Sequence, residues 1–480
     1  MRVARFVLSR VVCVTSVTLL ASAIIAVLAL LAATTFTSAQ TANPRDAAGP
    51  DLLSCSPAPC VLPPTQASLG PKDDNDAPIA ADPSNPKNLI VGSNDYNCLP
   101  FESLGFFVSL DGGSDWSQVC MSGLAFEGEP YIPNQMPILG YDRHGTAYIG
   151  GYYYSNGDSG GTLQGVQKSS DSINWSTPVA AVVRQNYAPL YCWMAVDTSA
   201  SSPYADSVYI SCVMVGPPGQ NTRNQVVVSR SNDGGATWQL ANVAPVQNAP
   251  DQDLYTTMAV GNDGTVYLTW LYCNTTPQAC DTEGYVVFSK SSDGGNTWSK
   301  PKLVAPVTLI YPLPNTESVS VGDVAAIAVD NSDGPHSDYL YVVMYNWTGT
   351  FMQVEVARST DGGDNWSKPV PVAPGITHDQ FLPWISVSPA GLVGASWLDR
   401  RNDPKNIDYQ AYAGISADGG LSFQPNVQLT TAFSNPNVGK TFIGDYTGNT
   451  WDGTNYFVAA WMDESNEVNT QDFVGGIRLK

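Results

Sequence analysis

Short apolar runs recur along the chain, each closed by a turn signal and answered by a return run that usually carries Tyr or Trp. Ile79-Ala-Ala-Asp82 is answered by Leu89-Ile-Val91, Ile138-Leu-Gly-Tyr141 by Ala147-Tyr-Ile149, and Met194-Ala-Val-Asp197 by Val208-Tyr-Ile210. Met258-Ala-Val260 pairs in the same way with Val266-Tyr-Leu-Thr-Trp270, and Ile327-Ala-Val-Asp330 with Leu340-Tyr-Val-Val343. Trp384-Ile-Ser-Val387 is answered by Val393-Gly-Ala-Ser-Trp397. A last pair joins Phe442-Ile-Gly444 to Tyr456-Phe-Val-Ala-Ala-Trp461 and is followed by Phe473 to Leu479. Runs this short, bounded by turn residues, predict strands in hairpins rather than helices.

A second pattern lies between the hairpins. Ser109-Leu-Asp-Gly-Gly-Ser-Asp-Trp116 is repeated as Ser231-Asn-Asp-Gly-Gly-Ala-Thr-Trp238, Ser291-Ser-Asp-Gly-Gly-Asn-Thr-Trp298 and Ser359-Thr-Asp-Gly-Gly-Asp-Asn-Trp366. Ser416-Ala-Asp-Gly-Gly-Leu-Ser-Phe423 and a shortened Ser169-Ser-Asp-Ser-Ile-Asn-Trp175 complete the set. Their aspartates, Asp111, Asp171, Asp233, Asp293, Asp361 and Asp418, are spaced 60, 62, 60, 68 and 57 residues apart. Ser and Asp side chains bond backbone amides within such a turn, and Asp-Gly-Gly supplies the positive φ values of a hairpin. These aspartates are therefore expected to be turn staples, with the following Trp packed between neighbours. A period near 60 residues predicts one four-stranded propeller blade per repeat.

Seven hairpins with six aspartate turns predict an all-β, seven-bladed β-propeller with these turns between third and fourth strands. The seventh blade lacks an outer strand, which the segment around Val61 is expected to supply. Six blades with one irregular hairpin is the alternative.

Composition sharpens this picture. Charged residues make up 14% of the chain and hydrophobic ones 43%, which excludes a charged coiled coil and a disordered chain. The net charge of −21 repels phosphate backbones, and no basic patch offsets it, so nucleic acid is excluded as a partner. No cofactor is required, although calcium held by carboxylates stays open and any metal ligands stay unassigned.

Residues 1–39 combine three early arginines, an apolar run from Val11 to about Ala33, and Thr37-Ser38-Ala39 before Gln40. This reads as a secretory signal peptide, with an uncleaved membrane anchor as the alternative. A Pro-rich stretch, 40–75, then leads into a propeller over 76–480. Apart from Cys13, eight cysteines remain, and an even number in an exported chain predicts disulfides. Local pairs are expected: Cys55 with Cys60, Cys98 with Cys120, Cys192 with Cys212, and Cys273 with Cys280. The exported protein is expected to be a monomer and to meet a membrane only if the leader is retained.

The S-x-D-x-G-x-T-W turn is the Asp box, and the chain resembles the sialidase superfamily of Asp-box (BNR-repeat) propellers over roughly residues 76–480. Trp397-Leu-Asp-Arg-Arg-Asn-Asp403 and Gly444-Asp-Tyr-Thr-Gly448 are similar to stretches of secreted bacterial sialidase-like proteins. The resemblance implies a mouth with an arginine triad for a sugar carboxylate, a Tyr–Glu nucleophile pair and an Asp acid/base. The [FY]-R-I-P motif that carries the first of those arginines is absent. Tyr131-Ile-Pro133, after Glu129-Pro130, comes nearest and lacks the Arg.

Propeller ligands bind at a channel mouth built from loops entering the inner strands and loops joining second to third strands. Entering loops carry Glu129, Arg184, Tyr187, Tyr191, Asp251, Asp253, Glu317, Asp323, His378, Asp379 and Lys440, and exit loops carry Arg223, Asp399, Arg400, Arg401, Asp403 and Asp463. Arg400 or Arg401 is expected to grip an acidic sugar, with His378 and Asp379 alongside, because a planar guanidinium forks onto a carboxylate. An internal pairing of either arginine with Asp399 or Asp403 is the competing structural role. Asp399, Asp445 and Tyr446 are the catalytic candidates. Asp251 and Asp253 suit a capped or metal-lined loop, or acid/base work if one is desolvated. Glycan or cell-surface binding at the mouth is the expected function, with an exo-glycosidase of sialidase type acting on acidic sugars as the alternative.

Overall fold

The repeated hairpins close into seven antiparallel sheets. The structure, a computed structural model, describes residues 55–98, 103–157, 160–216, 223–274, 283–310, 312–316, 324–423, 425–437 and 442–480. Residues 1–54, which include the expected leader, and Cys280, Glu317, Asp323 and Lys440 lie outside them. Every helix or strand element among the described residues is a strand.

Counting from the channel outwards, blade one comprises Ile79–Ala81, Leu89–Asp95, Gly105–Ser109 and Ser117–Cys120. Blade two comprises Glu129–Tyr141, Ala147–Ser155, Thr162–Ser169 and Val179–Val182. Blade three has Ala188–Val196, Val208–Val215, Arg223–Ser231 and Gln239–Asn242, and blade four has Gln252–Val260, Val266–Cys273, Gly284–Ser291 and Lys302–Val307. Blade five follows with Ala326–Val329, Leu340–Trp347, Met352–Ser359 and Val370–Pro371, and blade six with Gln380–Val387, Val393–Asp399, Gln410–Ser416 and Asn426–Gln428. Blade seven is Gly448–Asp452, Tyr456–Asp463 and Gln471–Arg478, completed by Cys60–Gln66 from the other end of the chain. Inner strands of successive blades touch all the way round, and that of blade seven meets that of blade one. The chain is a seven-bladed β-propeller.

The outer strand of blade seven contains Val61, which pairs with Ile477. One detail differs from expectation. The inner strand of blade seven is Gly448–Asp452, not Phe442-Ile-Gly444. Gly444 takes a φ of 114°, and the Asn75 side-chain amide donates to the Phe442 carbonyl at 3.1 Å. Those bonds hold 442–444 as an entering loop against the start of blade one.

The aspartate turns sit between third and fourth strands and share one bonding scheme. In blade four, the Ser291 hydroxyl donates to Asp293 Oδ1 at 2.8 Å, and the Asn296 and Thr297 amides donate to that same oxygen at 3.1 and 2.9 Å. Gly294 and Gly295 take φ values of 68° and 83°, which only glycine adopts at little cost. The bonds favour the ionised carboxylate, so Asp233, Asp361 and Asp418 are held down to about 2.

A second staple links one blade to the next. The cation just before the turn serine donates to a glycine carbonyl in the following blade's turn. Lys168 reaches Gly234 at 2.6 Å, Arg230 reaches Gly294 at 2.8 Å, Lys290 reaches Gly362 at 2.7 Å and Arg358 reaches Gly419 at 2.8 Å. Trp366 of blade five packs edge-on against Phe288 of blade four at 5.4 Å, as the interleaved position of the motif Trp predicts.

Disulfides join Cys55 to Cys60, Cys98 to Cys120 and Cys192 to Cys212. Cys273 is also disulfide-bonded, and Cys280, its expected partner, falls outside the described residues.

Candidate functional site

The loops that lead into the inner strands border one mouth of the channel. Just inside it, the inner strands of blades two, three, four and six slip register. At each slip a non-glycine residue takes a positive φ: Met136 at 62°, Tyr191 at 52°, Tyr255 at 45° and Leu382 at 46°. A bulky residue in this region is strained, and bulges of this kind re-aim side chains. Neighbouring blades hold two of the bulges in place. The Thr256 hydroxyl donates to the Tyr191 carbonyl and the Thr447 hydroxyl to the Leu382 carbonyl, each at 2.8 Å.

The re-aimed rings meet at the axis. Tyr191 of blade three lies 4.4 Å from Tyr255 of blade four, centroid to centroid. Trp193 of blade three lies 4.3 Å from Trp384 of blade six, and Tyr446, entering blade seven, meets Trp193 edge-on at 5.8 Å. Met136, Tyr191, Trp193, Tyr255, Asp445 and Tyr446 line a shallow depression that encloses about 20 Å³. Four aromatic rings share its lining with Met136, Cys192, Thr256, Val324 and the partly exposed carboxylate of Asp445.

Asp445 and Tyr446 are thus brought to the mouth, but Tyr446 is not set up as a nucleophile. Its hydroxyl donates to the Pro137 carbonyl at 3.2 Å. Burial, and then the charges of Asp76, Asp445 and Asp472, push its pKa well above that of a free phenol, whereas an activated nucleophile needs the opposite shift. The Asp445 amide donates to Asp76 Oδ1 at 2.6 Å, and Asn94 donates to Asp76 Oδ2 at 2.6 Å. Burial pushes the Asp76 pKa upward in spite of those bonds. Asp76 was not singled out by the sequence reading, because it lies outside every repeat.

The blade-six cluster is placed elsewhere. The Arg400 and Asp379 side chains are both 0% exposed and pair at 3.1 Å. Arg400 Nη1 also donates to the carbonyls of Pro314 and Asn406, and its guanidinium lies 5.2 Å from the Phe381 ring. Asp379 in turn accepts the Met352 amide at 2.8 Å and the Asn406 side-chain amide at 2.7 Å. A guanidinium enclosed in this way does not meet a ligand from solvent. Arg401 donates to Asp399 at 2.5 Å and to Asn426 at 3.1 Å, and stacks over Tyr412 at 4.2 Å. The expected alternative pairing of an arginine with Asp399 is therefore present. Asp403 instead accepts the amides of Lys405, Ile407 and Asp408. His378 is partly exposed at the loop before blade six.

Comparison between blades gives Asp399 its role. Asp399, Asp463 and Asp95 end the second strands of blades six, seven and one. Each accepts the amide two residues on, from Arg401, Ser465 and Asn97, at 2.8, 2.9 and 2.8 Å. The indoles of Trp397 and Trp461 donate to Asp399 and Asp463 at 2.7 and 3.5 Å. A group with the same bonds in several blades belongs to blade architecture. Arg184, the entering-loop arginine, donates to Gln225 and Asn242. The three arginines share no partner, and none lines the mouth depression. Asp95 also lies beside Cys98 and Cys120, whose sulfurs form a disulfide and are not thiolate ligands.

No family model and no curated protein matches the chain. Among solved structures it is similar to a protein of unknown function from Dyadobacter fermentans, at 15% identity and TM-score 0.46, over 72% of this chain and 94% of that one. A Hadza microbial sialidase aligns at 14% identity and TM-score 0.45, covering 81% and 76%. An α-L-arabinofuranosidase from Fusarium graminearum aligns at 11% identity and TM-score 0.44, covering 72% and 92%. Likeness at this level decides no activity. The seven sheets establish the fold by themselves.

Proposed function

We propose that the protein is exported and binds a glycan at the aromatic mouth of its channel, without catalysing its cleavage. The observation that carries this reading is the convergence of Tyr191, Trp193, Tyr255 and Tyr446 on one depression, with Trp384 packed against Trp193. Aromatic faces receive the C–H faces of sugar rings, and a few polar groups then fix orientation. Asp445 is the charged group here, and with no arginine among the described residues of the lining the mouth favours uncharged sugars over acidic ones. Export is supported by the disulfides and by the apolar leader.

A glycan array probed with wild-type protein and with Tyr255→Ala tests the reading. Specific signals that Tyr255→Ala removes support it. An array with no signal, or signals indifferent to the substitution, refutes it. An exo-glycosidase of sialidase type is the second reading. It draws on Asp76, a buried carboxyl beside Asp445 whose pKa is raised, and hydrolysis of a panel of aryl glycosides would establish it.

A further inference from the structure

The side wall between blades three and four carries a groove of about 400 Å³, larger than the mouth depression. Asp253 pairs across strands with Tyr272, and Tyr272 with Tyr285, so all three side chains stand on one face of blade four. Trp270 and Val287, also paired, continue that face inward. Ala244 and Gln247 of blade three form the facing wall, and Leu303, 54% exposed, forms part of the rim.

Two features of this groove call for a ligand. The first is Asp253, only 1% exposed. Its Oδ1 accepts the Trp270 indole at 2.9 Å, while Oδ2 is buried with no hydrogen-bond partner. An unsatisfied buried acceptor is costly, and a ligand hydroxyl would remove that cost. The second is the pair of partly exposed rings, Tyr272 and Tyr285, 6.2 Å apart and tilted by 34°.

Blade six shows what a closed version of this wall looks like. Trp397 occupies the position of Trp270, its indole bonds Asp399 on its own strand, and Arg401 covers the neighbouring Tyr412 face. Blade four has Tyr272 where blade six has Asp399, and its carboxylate has moved to the partner strand as Asp253. No arginine lines its groove among the described residues.

We propose that this groove is a second saccharide site, with Tyr272 and Tyr285 as the stacking platform and Asp253 Oδ2 as acceptor for a sugar hydroxyl. The ligand is an uncharged sugar. Asp253 and the adjacent Asp251 repel a carboxylate, and Lys302, the cation in the lining, is already paired with Asp364 at 2.7 Å.

Isothermal titration of the full chain with neutral tetrasaccharides of glucose, mannose, xylose and N-acetylglucosamine, beside a sialylated trisaccharide, tests the site. At least one neutral tetrasaccharide is expected to bind. Tyr272→Ala and Tyr285→Ala should each weaken it tenfold or more at unchanged melting temperature, and Tyr272→Phe should restore it. Absence of any neutral binding, binding indifferent to both alanine variants, or preference for the sialylated sugar would overturn the proposal.

Discussion

The indoles of Trp193 and Trp384 meet across the propeller axis, 4.3 Å apart at an interplanar angle of 41°. One comes from blade three and the other from blade six, so a single aromatic contact ties two separated blades together beneath the mouth. Trp384 is 7% exposed. Trp384→Ala should lower unfolding stability by about 3–5 kcal/mol, as for large-to-small core changes, read from urea denaturation. A loss below 1 kcal/mol would mean that the two blades are held together by other contacts.

Arg400 and Asp379 form a buried pair that packs loops of blades five and six together. Removing one partner strands the other charge. Arg400→Ala should therefore cost about 3–5 kcal/mol. Arg401→Ala removes a charge that is still 15% exposed and should cost nearer 1 kcal/mol. Denaturation midpoints of the two variants check the order, and equal losses would contradict it.

Stability should peak on the acid side of neutrality. Burial raises Asp253 to about 7 and Glu464 to about 8. Both protonate more readily folded than unfolded, so their contribution is complete below pH 4 and fades as pH rises through 7 to 8. Asp233, Asp361 and Asp418, held at about 2, act in the opposite sense. Their contribution is present above pH 4 and lost as pH falls toward 2. The melting temperature should thus decline between pH 5 and 8, and Asp253→Asn should flatten that decline. A melting temperature that climbs from pH 5 to 8 would contradict the burial of these carboxyls.

Asp293→Ala removes the acceptor of a whole turn, including the Thr297 hydroxyl bond at 2.6 Å. The turn is exposed, so a loss of about 2 kcal/mol is expected, with glycan binding unchanged once folded. Arg358→Ala, which cuts one staple between blades five and six, should cost about 1 kcal/mol. Melting curves and the array signal together separate these effects from damage to the mouth.

The blades were legible because their information is local: each turn carries its serine and aspartate, and five of the six their glycines, within one short segment, and the period repeats. The mouth was not, because its geometry arises from register. Tyr255 reaches the axis only because its strand slips between Leu254 and Thr257, and no spacing in the sequence announces a slip. Arg400 was misleading for a related reason. Its partner Asp379 lies 21 residues away and comes close only through the pairing of Gln380 with Asp399. The seventh inner strand starts six residues later than expected because Phe442-Ile-Gly444 mimics an apolar run, while the bonds that pin it come from Asn75 and Asp76.

The strand Cys60–Gln66 sets the order in which this molecule is completed. It is synthesised before every blade, yet its place is beside Gln471–Arg478, and Arg478 donates to the Cys55 carbonyl from 423 residues away. While the chain emerges, that strand has no partner, and the growing stack of blades presents an open sheet edge at its leading side. The clasp forms only after the last strand has arrived, which makes closure the slow, long-range step of folding. The chain therefore gains its finished, edge-free circle only once Gln471–Arg478 is in place, and a chain cut short before Gln471 would stay an unlatched arc, sticky at both ends.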